Sequence, residues 1–161
     1  MTGKLTGIAI RPAWYAPMVE RHEISIAADG LEGDHAGKRP DRIVSILSAA
    51  DWAAACADLD PAADPIHELP WLTRRANLLL DGVRLPRAAG AVLRIGPVEL
   101  EVRRQTYPCK RMEDARNGLL KALAKDWRGG VLCSVLRGGV VRLGDDALVV
   151  SSPPEITRKL P

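Results

Sequence analysis

The sequence predicts a mainly β fold, a closed or nearly closed β-barrel carrying a few short helices. Three observations lead there. Short apolar or alternating runs recur along the chain, Asp-Gly, Gly-Gly and Gly-Pro pairs fill the gaps between them, and few helical stretches intervene. A parallel α/β sheet needs regular crossover helices, so closely spaced strands joined by tight turns favour a barrel.

In chain order, Lys4 to Ile10 and Glu23 to Ala27 mix β-branched and polar residues and read as strands, followed by the turn-forming pair Asp29-Gly30. "GLEGDHAGKRPDR", Gly30 to Arg42, holds three glycines and a proline among charges and reads as a long loop. "RIVSIL", Arg42 to Leu47, reads as a buried strand. Ser48-Ala49-Ala50-Asp51 then matches a capping box, and Trp52, Ala55, Cys56 and Leu59 fall on one helix face. Pro61, Pro65 and Pro70 leave Asp60 to Leu72 as loop.

The second half is denser in strands: Ala76 to Leu80, Ala91 to Ile95 and Val98 to Arg103, separated by Asp81-Gly82, Ala89-Gly90 and Gly96-Pro97. Val98, Leu100 and Val102 alternate with Glu99, Glu101 and Arg103, which predicts one buried and one wet face. Gly118 to Asp126 is helical in composition. Gly130 to Leu136, Val140 to Leu143 and Ala147 to Ser151 complete the strands, and the glycines of the repeated "RGGV" at Arg128 and Arg137 read as hairpin punctuation rather than an RNA-binding repeat.

Composition narrows the function classes. The 161 residues, 47% hydrophobic and 27% charged, are expected to form one soluble domain over 1–161, with 153–161 as a loose tail. Apolar runs fall far short of the roughly 20 residues that span a bilayer, and "MTGKLTGIAIRP" lacks the apolar core of a signal peptide, so a cytoplasmic location without membrane association is expected. A net charge of +3 and six aromatic residues argue against a nucleic-acid partner and leave room for a small anionic ligand. No P-loop, dinucleotide fingerprint, HExxH or GxSxG pattern occurs.

Cysteine usage points to one position. Three cysteines without a CxxC pair form neither a zinc site nor a disulfide framework. Cys56 on a helix face and Cys133 within a strand read as small core hydrophobes. Cys109, in "QTYPCKRM", follows Pro108 in a loop and precedes Lys110 and Arg111, whose charge favours a thiolate. His35, beside Asp34 and near Glu32, is a ligand or proton-transfer candidate set against an ordinary hydrogen-bonding histidine. Lys38, Arg39 and Arg42, and separately Arg74 and Arg75, offer donors to an anion or simply make solvated basic segments.

Across nearly its whole length the chain resembles the MOSC domain, found at the C-terminus of molybdenum-cofactor sulfurases and as small free-standing bacterial proteins. The likeness runs through "GLEGDHAG" (Gly30 to Gly37), "RIVSIL", "RANLLLDGVRL" (Arg75 to Leu85), "GAVLRIGPVELEV" (Gly90 to Val102), "YPCKRME" (Tyr107 to Glu113) and "RGGVLCSVLRGGVVRLGD" (Arg128 to Asp145). The ordered Arg-x-Asn entry, glycine-bounded hairpin and Pro-Cys are its most specific part. The resemblance implies a barrel-like fold and molybdenum cofactor (molybdopterin) as ligand. Cys109 is then the catalytic thiol and molybdenum ligand, or a sulfur carrier. Arg75, Asn77, His35, Asp34, Lys38, Arg39 and Arg42 become cofactor-binding candidates.

Thiolate is a soft donor suited to molybdenum and also a nucleophile able to accept sulfur as a persulfide. The sequence departs from the family at Ala76, where a polar residue is common. The resemblance covers the MOSC part alone, so neither the N-terminal β-barrel domain of the cofactor-bound reductases, nor a ferredoxin-like domain, nor the pyridoxal-phosphate domain of the sulfurases is expected on this chain, and no pyridoxal phosphate is expected with it. The implied activities are reduction of N-hydroxylated small molecules, with electrons from a separate donor protein, or non-redox carriage of sulfur or cofactor, with sulfur from a donor protein. An inert binding module is the third reading.

Overall fold

The structure is a computed structural model and describes residues 2–35, 43–59 and 69–155. Its strands are β1 (Gly3–Ile10), β2 (Val19–Glu20), β3 (Glu23–Ala27), β4 (Gly30–Leu31), β5 (Val44–Ser48), β6 (Leu78–Asp81), β7 (Val92–Ile95), β8 (Val98–Gln105), β9 (Val131–Arg137), β10 (Gly139–Arg142) and β11 (Asp146–Ser151). Among the described residues three short helices accompany them, α1 (Ala49–Ala57), α2 (Lys110–Ala115) and α3 (Leu119–Ala124), together with a 3-10 turn at Trp71–Arg74.

Strands β11-β7-β8-β9-β5-β6-β1 form a continuous sheet that β1 closes by pairing with β11 (Gly3 opposite Ala147), giving a seven-stranded barrel. β2 extends it beside β1. Every pairing in the barrel is antiparallel except β5 with β6. That parallel pair requires a crossover, and α1 lies on it. The Ser48 hydroxyl starts α1 by accepting the Asp51 N–H at 3.2 Å, the forward half of the capping box.

The expected alternation on β8 is present: Val98, Leu100 and Val102 are fully buried while Arg103 is exposed. With Leu5, Ile8, Ile46, Leu78, Leu80, Leu93 and Ile95 they fill the barrel interior. A second apolar cluster joins Leu47, Trp52, Ala55, Ala76, Met112, Leu119, Ala122 and Leu123, binding the three helices to the outside of β5 and to the approach to β6. Leaving these side chains in water would cost about 1.5–3 kcal/mol for each large one, which is what holds such short helices in place.

Two local expectations change. Gly138-Gly139 does not turn a hairpin: after β9 the chain leaves the barrel, and β10 pairs with β3 in a separate three-stranded sheet, β10-β3-β4. Helix α2 is not among the expected elements: it begins at Lys110, directly after Cys109, which stays in the loop as the N-cap residue and makes no side-chain cap bond. Of the tail expected to be loose, residues to Glu155 are described. Glu155 accepts two bonds from the Arg84 guanidinium, at 2.6 and 3.0 Å, and one from the Arg87 N–H at 2.9 Å.

Candidate functional site

A cleft of about 910 Å³ opens at the end of the barrel where β1 and β8 stop and β6 and β9 start. Cys109 lines it and is exposed. β8 ends at Gln105, and three residues, Thr106-Tyr107-Pro108, carry the chain to Cys109, whose carbonyl then accepts the Met112 N–H at 2.9 Å. Met112 is buried against the helix cluster, so the thiol sits on a backbone anchored from both sides.

Among the described residues five cationic side chains line the same cleft, Arg11, Arg74, Arg75, Lys110 and Arg111, against one carboxylate, Asp114. Arg75 ends the 3-10 turn in the left-handed region, φ 63° and ψ 31°, a conformation costly to a residue with a β-carbon. In it the Arg75 guanidinium donates to Ala16 O at 2.7 Å, pinning the segment that carries Trp14 and Tyr15. Burial lowers the Arg75 pKa, Arg111 and Arg11 push the same way, and Asp34 opposes them. Trp14 and Tyr15 are 74% and 69% exposed and meet edge to face at 5.1 Å, and the Arg111 guanidinium stands 5.2 Å from the Tyr15 ring centre.

Arg74 is buried. Its Nε donates to Gly129 O at 3.1 Å and its Nη2 to Thr106 O at 3.2 Å. Burial draws its pKa down to about 10, with Cys109 opposing and Arg11 adding to the fall.

The sequence candidates separate. Cys109, Arg75 and His35 line the cleft, and His35 is exposed, its ring 6.2 Å from that of Trp14. The Asp34 side chain is only 1% exposed. Its Oδ1 accepts the Arg11 N–H at 2.8 Å, while the His35 N–H donates to Arg11 O at 2.7 Å. Asp34 therefore holds Arg11 from behind. Asn77, 1% exposed, is built into the barrel wall: its Nδ2 donates to Ala9 O and its Oδ1 accepts from Ser45. Lys38, Arg39 and Arg42 lie outside the described residues.

Sequence reasoning passed over Arg11, Trp14 and Tyr15. For Arg11 the one signal is its place directly after the buried strand end "IAI" and before Pro12.

A family model described as MOSC domain matches residues 32–147. No functionally curated protein matches the sequence. Among solved structures, YuaD from Bacillus subtilis superposes with a TM-score of 0.69 at 17% identity, over 91% of this chain and 94% of that one. YiiM from Escherichia coli gives 0.71 at 20% identity, over 98% and 73%, and YiiM from Geobacillus stearothermophilus gives 0.61 at 14%, over 92% and 73%. At these identities the structural likeness speaks for the fold alone.

Proposed function

The chain belongs to the MOSC domain family, a molybdenum-cofactor-related family, and from that premise we propose that it binds molybdenum cofactor through Cys109 and reduces N-hydroxylated small molecules with electrons from a separate protein. The observation that carries this reading is an exposed thiol sharing a cleft with five cationic side chains.

The donor set fits such a group. Among the described residues no cluster of three or more His, Cys, Asp or Glu could hold a bare metal ion. With these described neighbours a metal at Cys109 would arrive carrying its own ligands and take one thiolate from the protein. The cations suit a phosphate-bearing cofactor, arginine most of all because its fork matches phosphate oxygens. Thr106 Oγ1, buried beside the cleft and without a hydrogen-bond partner among the described residues, offers one more polar contact.

When bound, the cofactor supplies two-electron redox chemistry at molybdenum. Cys109 would be its protein ligand, while Arg11, Arg75 and Arg111 would neutralise its anionic part. Trp14 and Tyr15 at the mouth would limit water and orient a substrate between the rim and the thiol. Expression of wild type and Cys109→Ser in a cofactor-producing host, followed by metal and pterin analysis, tests the reading. Near-stoichiometric molybdenum and pterin in wild type, lost in the variant, is the expected outcome. A wild type free of both rejects it.

The exposure of Cys109 also favours a second reading, in which a desulfurase persulfide passes its sulfane sulfur to the Cys109 thiolate and keeps its own thiol. Incubation with a cysteine desulfurase and cysteine would then add the mass of one sulfur to the Cys109 peptide. An unchanged mass removes this reading.

A further inference from the structure

Arg74 is the buried cation of the cleft, and the reading above gives it no part. It is 8% exposed, although Arg is almost never buried without a partner of opposite charge. Its two carbonyl bonds satisfy donors but do not neutralise charge, and among the described residues no carboxylate lies within ion-pair distance. The groups acting on its ionisation, besides burial, are Cys109 and the like-charged Arg11. The guanidinium and the Cys109 thiol line the same cleft.

The bonds themselves reach the Cys109 link. Thr106 lies three residues before Cys109 and also donates its N–H to Gly130 O at 2.8 Å. Gly129 allows the closure. A β-carbon there would stand 2.3 Å from Thr106 O and 3.2 Å from Arg74 Nη2, so no side chain fits between the two loops.

We propose that Arg74 is a positioning residue for Cys109. Its guanidinium ties the Thr106–Cys109 link to the Gly129 turn and gives the cleft a fixed, desolvated positive charge that draws an anionic ligand to the thiol. This rests on Cys109 being the working group of the cleft. Arg75 is more solvated, so its field is screened more strongly.

The test uses the full chain purified from a host unable to make the cofactor. Cys109 is alkylated with neutral iodoacetamide and with anionic iodoacetate, and each rate is read by mass spectrometry on the Cys109 peptide. The iodoacetate-to-iodoacetamide rate ratio should fall about fivefold in Arg74→Gln and stay within about twofold of wild type in Arg74→Lys, which keeps the charge. A purely structural role would change both rates together, and an unchanged ratio in folded Arg74→Gln overturns the proposal. If Arg74→Gln does not fold, the salt dependence of the wild-type ratio decides. A ratio kept within about twofold between low salt and about 1 M salt supports the buried Arg74, and a collapse assigns the preference to the solvated cations Arg75, Lys110 and Arg111 and overturns the assignment. Because the protein carries no cofactor, failure here is separable from failure to find molybdenum in the cofactor-producing host.

Discussion

Asn77 and Ser45 hold each other across the parallel pair β5 and β6: the Ser45 N–H donates to Asn77 Oδ1 at 3.1 Å, and the Asn77 N–H donates to Ser45 Oγ at 3.0 Å. A third bond runs from the Ser45 hydroxyl to Asn77 Oδ1 at 3.2 Å, and Asn77 Nδ2 reaches Ala9 O on β1 at 3.2 Å. One side chain thus joins three strands at the end of the barrel that bears the cleft.

Asn77→Ala should accordingly act on stability. It strips the buried Ser45 N–H and Ala9 carbonyl of side-chain partners, and unsatisfied buried groups cost about 1–3 kcal/mol each. A loss of about 2–4 kcal/mol in urea unfolding is expected. Ser45→Ala should cost less, because the Asn77 amide keeps its bond to Ala9. An Asn77→Ala protein as stable as wild type would mean that this network does not support the barrel.

Gly130 makes a second stability prediction. Its φ is 95°, and a β-carbon would lie 2.2 Å from the Ile46 carbonyl oxygen, a backbone atom that cannot swing away. Gly130→Ala should cost about 3 kcal/mol or more, from left-handed strain and from forcing β9 off β5. Thermal melting of the variant checks this, and a shift of less than about 2 °C would contradict it.

The barrel was legible because its signals are local. Alternation on β8 and the Gly and Pro pairs depend only on neighbours in sequence. α2 was not legible: "KRMEDA" is six residues with one buried side chain, Met112, too short to display a 3.6-residue period. The destination of β10 was lost for another reason, since Gly138-Gly139 announces a turn but not which strand the chain meets next. Cys109 stood out through Pro108, Lys110 and Arg111, whereas the burial of Arg74 is purely tertiary. A sequence shows "TRR" as two equivalent cations. The fold buries one on the carbonyls of Thr106 and Gly129 and sends the other to Ala16.

The docking of Glu155 should depend on acid. Hydrogen bonds from Arg84 and from the Arg87 N–H hold its carboxyl at about 2, below the ordinary 4.5. A depressed carboxylate pKa contributes stability that is fully present above the unfolded value and is lost as pH falls through the folded one. The 152–155 segment should therefore stay docked above about pH 4.5 and release between there and about pH 2. Amide NMR shifts of Arg87 and Glu155 would follow the release in wild type, and Glu155→Gln should abolish that titration. A midpoint near 4.5 in wild type would show that the clamp does not hold.

Thiol labelling should distinguish the three cysteines in one experiment. Cys133 is fully buried in the barrel interior, and desolvation, with a smaller contribution from Glu101, pushes its thiol far above the ordinary range. Neither access nor thiolate is available to it in the folded state. Cys56 is half-buried against the helix cluster, whereas Cys109 is exposed in the cleft. Iodoacetamide at neutral pH should modify Cys109 first, Cys56 more slowly, and Cys133 only after denaturant has opened the barrel. Peptide mass spectrometry over a time course reads the order directly. Native labelling of Cys133 at a rate comparable with Cys109 would contradict the closed barrel, because reagent reaches that sulfur only if β9 parts from β5 or β8.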